Sequence, residues 1–134
     1  MNATLPAANV EFVRRFYGLI EAGNFEDAMG MLHEEFVICE PADLPYGGEY
    51  HGVAGMGELM GRIGAVVDLS SARREFLDAT DPVVVHMVSR FTCRSTGTVA
   101  ETEVIELFYL RDGRIAEIDV YCKNPSAVAA LWPK

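Results

Sequence analysis

The chain has 134 residues, half of them hydrophobic, and a formal net charge of −9, which suits one globular domain over residues 1–134 with a single core. The charge is uneven: residues 1–60 hold ten acids against only Arg14 and Arg15, giving −8, while the remainder holds ten acids against nine bases, giving −1. Such a surface repels phosphate backbones and anionic membranes, which excludes nucleic-acid binding as the main role.

Pro6 to Ala22 reads as a helix. Val10, Val13, Tyr17 and Ile20 form one stripe, with Phe12, Phe16 and Leu19 beside it, and Gly23 suits the C-terminal cap. A face that wide implies burial on more than one side. Asn24 is expected to cap a short second helix whose apolar residues Phe25, Ala28, Met29 and Leu32 face inward. The apolar run Phe36-Val37-Ile38-Cys39 then reads as a strand that ends at Glu40. Pro41 cannot donate to a sheet and biases the residue before it toward extended geometry. Period-two alternation puts Phe36, Ile38 and Glu40 on one face, with Val37 and Cys39 on the other.

A turn-rich stretch follows, from Ala42 to Gly52, with Tyr46, Tyr50 and His51 among its glycines and prolines. Beyond it Met56, Leu59, Met60 and Ile63 keep helical spacing despite Gly55, Gly57, Gly61 and Gly64. Each interior glycine costs roughly 0.5–1 kcal/mol relative to alanine, so a weak, mobile third helix is expected. The rest reads as strand, over about 72–78, 83–95, 98–110 and 114–122, with turns at Asp81-Pro82, Thr96-Gly97 and Arg111-Asp112-Gly113. Asn124-Pro125 opens a short last helix ending near Trp132. Helices first and a long antiparallel meander after them make an α+β architecture, with the helices packed on one face of a curved sheet.

The longest apolar runs, Val83-Val84-Val85 and Leu107-Phe108-Tyr109-Leu110, are strand-length and predict no membrane span. The N-terminal residues lack the basic and apolar regions of a signal peptide, so a cytoplasmic location is expected. Cys39, Cys93 and Cys122 are far apart and embedded in apolar patterns, which suits free thiols. His33, His51 and His86 have no ligand-like spacing, so no metal is expected. His33, beside Glu34 and Glu35, reads as solvated in a turn, and His86 as outward-facing with Arg90.

Alternation sorts the later strands. Val83, Val85, Met87, Phe91 and Cys93 share a face, as do Val104, Glu106, Phe108 and Leu110, and as do Ile118, Val120 and Cys122. Both faces of the final hairpin are apolar enough to be buried, one lining a chamber and the other a subunit contact, so a homodimer is expected. Glu40 by itself fits two readings: a solvated acid at a strand end, or a carboxylate at the lip of an apolar chamber, where desolvation would raise its pKa.

The order Arg15-Phe16-Tyr17, Glu21-Ala22-Gly23-Asn24, Val37-Ile38-Cys39-Glu40-Pro41 and Leu44-Pro45-Tyr46-Gly47-Gly48-Glu49-Tyr50-His51-Gly52 resembles the ketosteroid-isomerase-like superfamily. The ending from Glu106 through Arg111-Asp112-Gly113 to Tyr121 fits it too, and within it the SnoaL-like group, relatives of nuclear transport factor 2, is the most similar. The resemblance covers nearly the whole chain and is more specific for fold than for activity. It implies a cone-shaped α+β domain: three helices over a curved, mixed but mainly antiparallel sheet, enclosing an apolar pocket and usually dimeric. In the family's isomerases a strand carboxylate just before a proline is the general base, matched here by Glu40. A second acid, kept protonated to stabilise an enolate, matches Glu106 when counted back from the Arg111-Asp112-Gly113 turn. That logic is the ketosteroid isomerase example long used for a neutral buried carboxyl.

Two departures count against a true steroid isomerase. Glu40 stands where those enzymes carry an aspartate, and the phenol of their oxyanion hole falls on Phe16, which has no donor. Tyr17, one residue on, is turned by about 100° around the helix; it reads either as core packing or as the missing proton donor. Relatives that carry an acid on the last strand would place it at Val120, while Asp119 points the other way. Tyr46, Tyr50 and His51 fall on the loop that rims the mouth in such folds, and Met56 and Met60 line the pocket if the third helix closes over it. With Phe16, Phe91, Phe108 and Val120 these form the expected substrate-binding set, beside Glu40, Glu106 and Tyr17 as catalytic groups. Two functions follow: a cofactor-independent acid–base enzyme (isomerase, cyclase or dehydratase type) on a small apolar carbonyl or polyketide-like compound, or a non-catalytic ligand-binding or dimerisation domain.

Overall fold

The computed structural model describes residues 4–77 and 81–133, with side chains from Ala8 onward. Helix α1 (Thr4–Glu21) and the short α2 (Phe25–Met29) lead into β1 (Leu32–Glu40), β2 (Gly48–His51) and α3 (Gly52–Gly64). Four long strands follow, β3 (Val67–Leu77), β4 (Val83–Cys93), β5 (Val99–Arg111) and β6 (Arg114–Cys122), and α4 (Pro125–Ala129) closes the order. They form a six-stranded sheet in the order β2-β1-β6-β5-β4-β3. Every pairing is antiparallel except β1 with β6, which is parallel. The fold is the α+β cone expected, with α1 and α3 against the concave face of the curved sheet.

Local chemistry explains most element ends. Gly23, at φ 79, ends α1: its N–H and that of Asn24 return to the carbonyls of Ile20 and Leu19, a left-handed cap suited to glycine. Asp112 and Gly113, at φ 54 and 75, make the two-residue turn between paired Arg111 and Arg114. Asn124 caps α4, its side chain accepting from the Ala127 N–H, with Pro125 at the first helical position.

Four expectations need correction. Asn24 precedes α2 but makes no side-chain cap, its amide donating instead to Asp27 at 2.9 Å. Ala28 is buried as expected, but Phe25 is 46% exposed and Leu32 already belongs to β1. His33 is not in a solvated turn: it lies in β1, its side chain 11% exposed against Asp112. The turn-rich stretch contains β2, whose Tyr50 and Gly48 pair with Ile38 and Glu40.

The third strand begins at Val67, five residues before the expected start at 72, and residue 78 of the expected range lies outside the described residues. Residues 68–70 are polar or exposed, so no period-two burial pattern marks them, yet they pair with Phe91, Thr92 and Arg90 on β4.

Candidate active site

The acids meet through sheet register. Cys39 on β1 pairs with Asp119 on β6, so Glu40 lies level with Val120, and Val120 pairs with Glu106 on β5. Glu40 and Glu106 therefore occupy one row across the concave face, two strand spacings apart, about 10 Å at the backbone. The row continues through Val85 to Phe76. Both carboxylates line a cavity of about 450 Å³ roofed by α1 and α3, within the size range of small-ligand pockets.

Helix α1 supplies the phenol. Tyr17 donates a hydrogen bond from its hydroxyl to Oε1 of Glu106. The family register puts the phenol at Phe16, but here both neighbours reach the cavity because the apolar face of α1 is wide enough for two. Phe16 and Tyr17 straddle Phe108 edge-on, with ring centres 6.0 and 5.5 Å away. Such aromatic pairs are worth about 0.5–1.5 kcal/mol each beyond their buried area, so Tyr17 is firmly seated. Phe76 packs on its other side at 5.7 Å.

The two acids differ in surroundings. Burial in the cavity raises the Glu40 pKa, and the Glu106 charge raises it further, to about 8. Glu106 is also raised, chiefly by burial, while the Tyr17 hydrogen bond and the Arg74 charge pull the other way. Tyr17 itself is pushed well up by burial and by Glu106, so it stays a proton donor. A raised carboxyl with a phenol donating to one oxygen can present its own O–H from the other. Two carboxyls in one cavity with different partners are the usual raw material for separate acid and base roles.

Of the expected binding residues, Phe16, Met56 and Met60 line the cavity. The methionines come from α3, which closes over the sheet. Tyr46, Tyr50, His51, Phe91, Phe108 and Val120 do not line it. Tyr46 is buried against Trp132, with ring centres 5.3 Å apart, and the Tyr50 hydroxyl donates to the Tyr46 carbonyl at 2.8 Å. The two rings fasten the loop to the body instead of rimming the mouth. His51 points to solvent beside Glu49, its side chain 70% exposed. Phe108 is fully buried beneath Phe16 and Tyr17, and Val120 is buried between the two acids in the row. Phe91 is core, at the β4 end where Leu69 and Ala100 flank it.

Sequence reasoning missed the β3 side of the cavity, where Ser70, Ser71 and Arg74 join Ser89 of β4. The Arg74 guanidinium lies 4.0 Å over the Tyr17 ring and pairs with Glu21 at 3.0 Å, while its Nε is a buried donor with no partner among the described residues. An unmet buried donor costs on the order of 1–3 kcal/mol. Counting back by two from Phe76 would have put Arg74 on the inner face. Outside the cavity, His86 faces outward as expected, bonded to Glu103 at 2.8 Å; Lys123 reaches the same carboxylate at 3.1 Å, and this ion-pair cluster lines a more open surface concavity.

This architecture, helices packed over a curved six-stranded sheet, is that of the NTF2-like fold. An NTF2-like protein from Burkholderia xenovorans LB400 superposes with a TM-score of 0.82 at 21% identity, covering 92% of this chain and 94% of that one. A candidate polyketide cyclase from Xanthomonas campestris pv. campestris gives 0.77 at 16% identity, covering 92% and 96%. TerC, co-crystallised with polyporic acid, gives 0.77 at 22% identity, covering 88% and 93%. The chain belongs to the SnoaL-like domain family, whose pattern it matches over residues 13–118. No curated protein matches it by sequence. Among the described residues, no helix is long and apolar enough to cross a membrane.

Proposed function

We propose that this protein is an acid–base enzyme of the isomerase, cyclase or dehydratase type, acting on a small, largely apolar carbonyl compound. The observation that carries this reading is the single row holding Glu40 and Glu106 in one apolar cavity, with Tyr17 bonded to Glu106. Ionised Glu40 takes a proton from the carbon beside the carbonyl, and the C–H electrons pass to the carbonyl oxygen as an enolate. Glu106, protonated and backed by Tyr17, donates its O–H to that oxygen. Glu40 then returns the proton at another carbon, or to a departing hydroxyl as water. Proton transfer of this kind supplies about 10²–10⁴-fold, and oxyanion donors add to it. Polyketide-like ligands suit the cavity, in keeping with the cyclase-like neighbour and with the polyporic acid co-crystallised with TerC.

The second reading, a binding domain without turnover, is favoured by one observation: the Tyr17 hydroxyl is already spent on Glu106. The two readings separate on a panel of unsaturated ketones, epoxides and polyketide mimics screened for both thermal shift and turnover. An enzyme turns over at least one compound, and Glu40→Gln abolishes that turnover while leaving binding nearly intact. Ligand stabilisation with no turnover anywhere on the panel selects the binding domain. A homodimer through the outer face of the last hairpin, where paired Ile105 and Tyr121 are 37% and 55% exposed, belongs to either reading.

A further inference from the structure

Strand β3 changes face in mid-course. Up to Ser71 its inward positions are odd-numbered: Val67 opposite Cys93, Leu69 opposite Phe91, Ser71 opposite Ser89. Beyond the irregularity between Ala72 and Glu75 they are even-numbered, Phe76 pairing with Val85. Arg73 and Arg74 together stand opposite Met87, and Arg73 adopts φ 50. Two residues against one define a β-bulge, and a non-glycine residue at positive φ is strained. Unbroken alternation from Ser71 would turn Arg74 to the outer face. The strain at Arg73 therefore accompanies an arginine presented inside the cavity.

That arginine has donors to spare. A guanidinium carries five N–H groups in a planar fork matched to paired oxygens. Arg74 gives one to Glu21, sits over the Tyr17 ring, and keeps Nε buried and unpartnered among the described residues. The neighbouring inward positions, Ser71 and Ser89, are hydroxyls lining the same cavity. The remaining wall is apolar at Phe16, Met56, Met60 and Ile63, and also carries the Glu40 and Glu106 carboxyls and, on the β3 side, Asp68 with Arg94.

We propose that the β3 bulge presents Arg74 as the docking point for a planar two-oxygen anion on the ligand, flanked by the Ser71 and Ser89 hydroxyls. The ligand is then an apolar body bearing a carboxylate or an ionised vinylogous acid. This rests on the cavity being the ligand site, as proposed above, but not on Glu40 moving a proton.

Calorimetric titration tests it with matched probes: 2-naphthoate against neutral 2-naphthamide, and 2-hydroxy-1,4-naphthoquinone against its methyl ether. Wild type should bind at least one acid about tenfold more tightly than its neutral partner. Which acid it prefers tells carboxylate from vinylogous acid. Arg74→Gln should bring that ratio to about one while holding the neutral probe within about twofold, and Arg74→Lys, a point charge without the fork, should restore it only in part. A ratio near one in wild type, a ratio unchanged in Arg74→Gln, or no binding of either series overturns the proposal. Ile63→Trp, which fills the cavity, keeps the failures apart. Weakened binding of the neutral probes in this variant retains the cavity even when the Arg74 effect is missing. Unchanged binding of every probe removes the cavity reading and the anion subsite together.

Discussion

The Tyr17 hydroxyl donates to the Glu106 carboxyl, tying helix α1 to strand β5 across 89 residues of sequence. Each group is placed by contacts of its own: the phenol is held by Phe108 and Phe76, the carboxyl by its pairing with Val85 and Val120. Tyr17→Phe keeps the ring and deletes the donor. It should lower stability by about 1–3 kcal/mol, since Glu106 is left buried with less support. In a double-mutant cycle with Glu106→Gln, measured by urea denaturation, the two losses should be non-additive by about 0.5–3 kcal/mol. Strict additivity would show that the pair does not act as a unit.

Glu40 should make stability fall as pH rises. Its carboxyl holds a proton to about pH 8 in the folded protein, against 4.5 when unfolded, so the folded state binds the extra proton between those values. Stability contributed by neutral Glu40 is complete below about 4.5, declines through the window, and is flat above about 8. Glu40→Gln cannot ionise, so its advantage in Tm over wild type should grow from pH 5 to pH 8 and then level off. Parallel melting curves across that range would mean that Glu40 is solvated after all.

The same value sets a rate profile. If ionised Glu40 is the base, kcat/KM should climb tenfold per pH unit below about 8 and reach a plateau above it. Should Glu40 serve instead as the proton donor, the profile is inverted, with activity lost above about 8. A flat profile between pH 6 and 10 would take Glu40 out of the proton transfer.

Glycines near the site should divide by sign. In α3, a Cβ at Gly57 or Gly61 meets nothing within 4 Å. Gly57→Ala and Gly61→Ala should each stabilise by about 0.5–1 kcal/mol, through lower unfolded-chain entropy. At Gly47 a Cβ would stand 2.3 Å from the Pro41 carbonyl, directly behind Glu40. Gly47→Ala should destabilise by about 1–3 kcal/mol and weaken ligand binding, as the Pro41 backbone is forced to move. Thermal melts of the three variants give the test; a stabilised Gly47→Ala would show that the loop has room.

Much of this protein is legible locally. The wide apolar face of α1, its glycine cap, the strand stop at Glu40-Pro41, the Asp112-Gly113 turn and the alternation that turns Glu106 inward all follow from backbone preference and period. These are near-neighbour effects, and sequence by itself determined them, together with the α+β class; the resemblance to the ketosteroid-isomerase-like superfamily supplied Glu40 and Glu106 as a candidate pair. What tertiary structure alone decided is everything that depends on register between distant segments. Level pairing across β1, β6 and β5 puts the two acids in one row, and the width of α1 lets Tyr17 reach Glu106 where the family register offers only Phe16. The bulge at Arg73 reverses the alternation of β3, so that Ser71 and Arg74 share the inner face, while Tyr46 and Tyr50 turn out to brace the loop. Alternation fixes which face a side chain takes only while the strand is regular; one extra residue flips every position beyond it, and no local pattern reports where that residue sits.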